Sequence, residues 1–218
     1  MDNQTLKFLG TDSGFGEKNT SAYFETEKSF NLIDCGYSVF NILKENFDFK
    51  KYKEINIIVT HLHNDHAGSL SQFILYLWFI FNKKVNVISK CSKIVDYLDI
   101  TGTPRESYEI LSSTKNLELI KTTHSPLLDT YGFILKLNNK SIVYTSDTST
   151  LTPYYPYLKD ADELYVDISK FGGIHIKIDD ALNELIKIDS TKTNVYLMHL
   201  DDKEYITKLI GDKLNIVK

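Results

Sequence analysis

Short runs rich in Ile, Val, Leu, Tyr and Phe recur along the whole chain: LKFLG at 6–10, SAYFET at 21–26, SFNLIDCG at 29–36, EINIIVTH at 54–61 and KVNVIS at 84–89. They continue with LELIKTT at 117–123, YGFILKL at 131–137, SIVYTSD at 141–147, ELYVDIS at 163–169 and NVYLMHL at 194–200. Runs of this length and composition predict strands. Between them, apolar residues at helical spacing predict helices over 38–46, 67–82, 91–99, 105–112, 153–160, 178–189 and 202–211. Strands alternating with helices from end to end predict a layered α/β fold. No low-complexity tract, no repeat of ~20–50 residues and no Pro/Ser-rich linker breaks the pattern, so 1–218 reads as a single domain.

One stretch departs from ordinary patterning. AGSLSQFILYLWFIFNKK is apolar almost all round, which exceeds what one face of a helix on a sheet should bury. Its apolar core, FILYLWFIF at 73–81, is about half of the ~20 residues a membrane-spanning helix needs. The segment is either a central core helix or the cover of a partner subunit, and the second reading predicts a symmetric homodimer.

Composition narrows the function classes. The chain has 218 residues, 42% of them hydrophobic, enough for a substantial core. A formal net charge of −4 argues against stable, non-specific nucleic-acid binding, which needs a basic face. Arg105 is the single arginine, so recognition of a phosphate must rely on lysine, backbone N–H groups or metal rather than on guanidinium forks. Cys35 and Cys91 give no disulfide framework, and MDNQTLKFLG lacks the basic-then-apolar layout of a signal peptide. These features predict a cytoplasmic protein.

The polar clusters fall at the C-terminal ends of the strand-like runs. EINIIVT ends in His61-Leu62-His63-Asn64-Asp65-His66, LELIKTT in His124, SIVYTS in Asp147 and NVYLM in His199. Loops at strand ends can converge side chains while the sheet holds them still. A single histidine at such a place is an ordinary structural residue, but three histidines and an aspartate within six positions have no packing rationale. Imidazole and carboxylate together suit Zn²⁺, with Mn or Fe also admitted. The spacing lets His61 and His63 point one way and Asp65 and His66 another, so one loop can feed two ions. His124 would complete the first site and His199 the second, with Asp147 short enough to bridge. A pair of ions ~3.5–4 Å apart activates water at neutral pH and clamps attacking and leaving oxygens.

THLHNDHAGSL resembles the signature of the metallo-β-lactamase superfamily, and His124, Asp147 and His199 follow in that family's order. FLGTDSGFGEKNTSAYFETEKSFNLIDCG at 8–36 resembles the opening of the ribonuclease Z-like branch. The resemblance implies an αββα metallo-β-lactamase sandwich with two divalent ions, most readily zinc. It places His61, His63 and His124 on one ion and Asp65, His66 and His199 on the other, with Asp147 between. It further implies that Asp65 handles the proton of the attacking water, and that a later histidine serves as general acid. His175, in GGIHIKIDDAL, fits that place, and with it all six histidines are assigned. Asp34, in LIDCG, is expected to orient a ligand histidine, or to be a plain turn residue.

Two clamped ions and a general acid suit a phosphodiester, although the same core in other branches opens lactones and thioesters. Transfer-RNA processing members carry a long basic arm between the third metal histidine and the bridging aspartate. Here that interval holds one strand pair and no arm. The arm-less members that the chain resembles include phage anti-Pycsar phosphodiesterases that degrade cyclic nucleotide immune signals, which implies a small cyclic nucleotide as substrate. An RNA-processing endonuclease and a lactone or thioester hydrolase stay open as alternatives. Tyr154, Tyr155 and Tyr157 are candidates to stack on a base, or else pack in a surface loop, and Thr11, Asp12 and Ser13 are candidates to border the site.

Overall fold

The computed structural model describes residues 4–189 and 192–218, so the first three residues of the N-terminal stretch lie outside it. The first half of the chain forms β1 (Lys7–Gly10), β2 (Ser21–Glu25), β3 (Ser29–Ile33), α1 (Val39–Asn46) and β4 (Glu54–Ile58). These are followed by α2 (Asn64–Ala67), α3 (Leu70–Phe81), β5 (Val85–Ile88), α4 (Ile94–Ile100) and β6 (Tyr108–Leu111). The second half forms β7 (Leu117–Lys121), β8 (Tyr131–Leu137), β9 (Lys140–Tyr144), α5 (Tyr155–Leu158) and β10 (Glu163–Asp167). It closes with α6 (Ile178–Asp189), β11 (Asn194–Met198), α7 (Lys203–Ile210) and β12 (Asn215–Ile216).

The strands make two six-stranded sheets, β1 to β6 in sequence order and β7 to β12 likewise. In each sheet the first two pairings are antiparallel and the remaining three parallel. Parallel neighbours need a crossover, and the helices supply it on the outer face of each sheet. One core lies between the sheets, where Phe24, Ile33, Ile58 and Ile88 meet Phe133, Tyr144, Tyr165 and Met198. A second packs β4 and β5 against α1, α3 and α4 through Ile55, Val87, Leu43, Phe73 and Leu98. A third packs β10 and β11 against α6 and α7 through Val166, Leu197, Leu185 and Ile206. Three buried layers between four layers of structure are the αββα sandwich.

Most predicted strands appear within a residue or three of their expected bounds, and the helix expected at 178–189 has those bounds. The stretch 105–112 is different: a short 3-10 turn, Arg105–Ser107, leads into strand β6. YEIL alternates little and is short, so periodicity does not separate helix from strand there; the pairing Val87↔Ile110 along β5 decides it. β12 carries no sequence signal of its own and is held by β11.

α3 buries Leu70, Phe73, Ile74 and Leu77 against the first sheet and leaves Phe79 and Ile80 outward, 70% and 64% exposed. It is therefore a layer helix with an apolar outer face rather than a central core helix.

Candidate metal centre

The parallel strands of both sheets deliver their C-terminal ends to one edge of the sandwich. After β4 the chain runs through Thr60 to His61 and His63, then turns into α2, whose first positions carry Asp65 and His66. Gly36 allows that approach, because a Cβ there would stand 1.9 Å from the Asp65 carbonyl oxygen. From the other sheet come His124 after β7, Asp147 after β9, Asp167 at the end of β10 and His199 after β11. His175 enters from the loop between β10 and α6.

These residues form nests of ligand atoms. His61, His63, His124 and Asp147 make one group, and Asp65, His66, Asp147 and His199 a second, each with its ligand atoms within 4.8 Å of one another. In the first, His63 Nδ1 is 3.0 Å from His61 Nε2 and 3.2 Å from His124 Nε2. Asp147 Oδ2 lies 3.7 Å from the former and 3.5 Å from the latter. In the second, His66 Nε2 is 3.2 Å from Asp65 Oδ2 and 3.2 Å from Asp147 Oδ1, and His199 Nε2 is 3.2 Å from Asp65 Oδ2. Ligands held ~2.0–2.1 Å from a tetrahedral ion stand about 3.3 Å apart, so the spacing fits a divalent cation in each nest.

The outer hydrogen bonds say which atoms are free to bind. His124 Nδ1 donates to the Ile174 carbonyl at 3.0 Å, His66 Nδ1 to Asp34 Oδ2 at 2.8 Å and His199 Nδ1 to Asp167 Oδ1 at 3.2 Å. Thr60 Oγ1 donates to Asp34 Oδ2, so it accepts from His61 Nδ1 at 3.1 Å. In all four rings Nδ1 is thus engaged by an outer acceptor, and Nε2 is the atom that faces the centre and is left to bind. His66 Nε2 is buried with no hydrogen-bond partner. Imidazole nitrogens and carboxylates that converge this closely in a buried site suit a cation.

Electrostatics agree. Burial disfavours charge on His61 and takes its pKa well down. Burial opposes charge on His199 too, but Asp147, Asp167 and Asp65 outweigh it and push the ring up to about 10. His66 is likewise raised, burial being overcome by Asp147 and Asp34. Left to itself the second nest would collect protons, and a metal would displace them.

The backbone is strained where it presents these groups. Asp34 (φ 58°), Ser146 (φ 53°) and His199 (φ 60°) all lie in the left-handed region, which non-glycine residues adopt only when their surroundings hold them there.

Asp34 sits as the sequence suggested, accepting from Thr60 and His66. Asp167 is not among the residues the sequence singles out, and it holds two histidines where Asp34 holds one. It is fully buried and accepts from the Thr148 N–H, from His199 and from His175 Nδ1 at 2.8 Å. The signal was available, since ELYVD is one more strand-like run ending in an acid. His175 is only partly buried; burial opposes its charge, but Asp167 prevails and raises it above an ordinary histidine. Asp147, Asp167, His175 and His199 form a third group of ligand-type atoms.

The base-stacking reading of the three tyrosines does not hold. Tyr154 is buried, its hydroxyl donating to the Thr145 carbonyl, and Tyr157 packs on the second half's core. Tyr155 donates to Glu184 on the far side of the His175 loop. None of the three lines the cavity of about 1020 Å³ that opens over the ligand nests. Asp12 and Ser13 do line it, and so do two exposed aromatics, Phe15 and Phe171. Thr11 contributes its carbonyl to the Leu200 N–H behind the site.

A family model described as Anti-Pycsar protein Apyc1 matches residues 4–98. An Anti-Pycsar protein Apyc1 of Bacillus phage 010DV004 is 26% identical over 93% of this chain and 92% of its own length. Among solved structures, the metallo-β-lactamase fold protein YhfI from Bacillus subtilis superposes with a TM-score of 0.77 at 17% identity, covering 98% of this chain and 95% of its own. The short form of human tRNase Z superposes with a TM-score of 0.68 at 14% identity, covering 91% and 93%. The chain has the metallo-β-lactamase fold, and its resemblance to the superfamily and to the anti-Pycsar proteins is borne out.

Proposed function

We propose that this chain is a metal-dependent phosphodiesterase that opens small 3′,5′-cyclic nucleotides of the kind used as immune signals, with two divalent ions, zinc most readily, in the two nests. The observation that carries the reading is the shared carboxylate. Asp147 Oδ2 lies 3.5 Å from His124 Nε2 of the first nest and 3.5 Å from His199 Nε2 of the second, and Oδ1 lies 3.2 Å from His66 Nε2, with His175 held beside them on Asp167. His61, His63 and His124 would hold one ion, Asp65, His66 and His199 the other, and Asp147 both. When bound, such ions polarise a phosphoryl group and make water a nucleophile at neutral pH.

The chain's own residues do the rest. Asp65 takes a proton from the attacking water as its oxygen bonds to phosphorus, and the ring P–O bond breaks. The departing alkoxide takes a proton from His175 Nε2, while Nδ1 stays bonded to Asp167. Asp167 therefore keeps the ring turned and charged for delivery.

Substrate size follows from what fills the interval after His124. A short loop, β8, a tight turn with Asn138 and Asn139 in the left-handed region, and β9 use the whole of it, leaving no arm. Arg105 is paired with Asp99 and does not line the cavity over the nests. These features favour a small nucleotide over RNA. No helix among the described residues is long and apolar enough to cross a membrane. We read the exposed face of α3 as the seam of a symmetric homodimer, because Phe79 and Ile80 stand open beside an already apolar helix. One catalytic domain in a cytoplasmic setting completes the reading.

The experiment is to load the protein with Zn²⁺ or Mn²⁺, count metal per chain, and assay ring opening of a 3′,5′-cyclic nucleotide to its monophosphate. Two ions per chain with metal-dependent opening is the expected result. One ion or none, or no opening, overturns the assignment.

A further inference from the structure

We propose that Phe15 and Phe171 form the nucleobase platform of this site, holding the base by stacking rather than by hydrogen-bond readout. The inference rests on the phosphodiesterase reading and names how that site takes its substrate. Phe15 is fully exposed and Phe171 is 72% exposed, and both line the cavity that also holds His63, Asp65, His124 and His175. Two large aromatics left in water at the mouth of a polar, metal-binding cavity suit a ligand with an anionic end and a flat apolar one.

Both rings are presented by loops that are tied down. Around Phe15, Asp12 accepts from the Lys18 N–H, Gly16 N–H donates to the Ser13 carbonyl, and Tyr37 Oη donates to the Gly16 carbonyl at 2.7 Å. Ser13 N–H and Leu200 N–H lock the base of that loop to the segment that carries His199. Gly14 and Gly16 flank the ring because the loop is tight: a Cβ at Gly16 would lie 2.1 Å from that of Asp12.

Phe171 is set in the same way. Ser169 Oγ accepts from the N–H groups of both Phe171 and Gly172 and itself donates to Asp201, while Lys170 Nζ sits 5.4 Å from the Phe171 ring centroid. Gly172 and Gly173, at φ 75° and 79°, carry the chain on to His175 in a conformation only glycine adopts easily. Phe171 is thus a few positions from His175 on one braced loop, and the Phe15 loop is tied by its backbone to the segment that carries His199. A preorganised aromatic surface binds without the cost of ordering it. Every base has a π-face, so stacking tolerates purines and pyrimidines alike.

The test is steady-state kinetics of wild type, Phe15→Ala, Phe171→Ala and Phe15→Trp. Substrates are a purine and a pyrimidine 3′,5′-cyclic nucleotide and the base-free ribose 3′,5′-cyclic phosphate. Each alanine variant should raise KM for the base-bearing substrates by about 5- to 10-fold with kcat changed less than about 2-fold, as loss of one stacking partner implies. The loss on the base-free substrate should be at least about threefold smaller, and Phe15→Trp should recover most of the affinity. Equal losses with and without a base, or a fall in kcat alone, overturn the platform. If wild type opens no cyclic nucleotide, the phosphodiesterase reading itself fails and the platform with it, an outcome distinct from turnover that the variants leave untouched.

Discussion

In the first half of the chain one loop after β4 places His61, His63, Asp65 and His66 within six positions. In the second half His124, Asp147 and His199 arrive singly from the ends of β7, β9 and β11. The two sheets share one pattern of pairings, so the difference lies in loading rather than architecture. In the first half the geometry of the nest is set locally, by a turn and the short helix α2. In the second half it is set by the register of β7 to β11, and so by packing across the whole sheet. Each half also has one buried carboxylate behind its histidines. Asp34 is hydrogen-bonded to His66, a proposed ligand, whereas Asp167 is hydrogen-bonded both to His199, another proposed ligand, and to His175, the proposed acid.

If both halves feed one reaction, breaking either should be fatal. Asp65→Ala in the first half is expected to lower kcat by about 10²–10⁴-fold, the scale of a lost proton acceptor, with the melting temperature little changed. Asp147→Ala should be at least as damaging and should in addition deplete metal from both nests. Activity in either variant near that of wild type would separate the halves.

His175→Ala comes next. Loss of a general acid costs about 10²-fold or more when the leaving group is a sugar alkoxide, and far less for a nitrophenolate that departs unaided. Comparing kcat on a cyclic nucleotide and on an activated phosphodiester measures this directly. Equal losses would remove His175 from that role.

The paired carboxylates sharpen the contrast further. Asp34→Asn and Asp167→Asn should each weaken metal binding by roughly 10–100-fold, as loss of a residue orienting a ligand does. Only Asp167→Asn should also alter the pH profile. Asp167 raises the pKa of His175, so removing its charge lowers that pKa, and the protonated acid is lost at lower pH. The basic limb of kcat should then move down, while Asp34→Asn leaves it in place. The smallest effect is expected from Phe79→Lys on the outer face of α3, which should convert a dimer to monomers in sedimentation with the site's metal content retained.

The two halves also differ in how much of them can be read in the sequence. The cluster at 61–66 announces itself, because no packing need explains it. His124, Asp147 and His199 gain meaning only beside that cluster and the family order, and Asp167 stays hidden because one aspartate at a strand end resembles many others. Strand positions were legible from short Ile- and Val-rich runs, but YEIL at β6 was not, its fate being settled by β5. Nearness to Asp147 in the chain points to Tyr154, Tyr155 and Tyr157 as aromatic lining. Three-dimensional proximity instead brings Phe15 and Phe171, each beside glycines in an otherwise polar loop, and glycine-flanked aromatics were the signal to follow.

The most direct test of the central claim is a side-by-side turnover assay. The metal-loaded protein is given purine and pyrimidine 3′,5′-cyclic nucleotides, a precursor tRNA and an uncharged lactone, with Asp65→Ala as the blank. Rapid, Asp65-dependent opening of the cyclic nucleotides, with the tRNA and lactone untouched, is the predicted result. Cleavage of the tRNA or the lactone with the cyclic nucleotides left intact would contradict it.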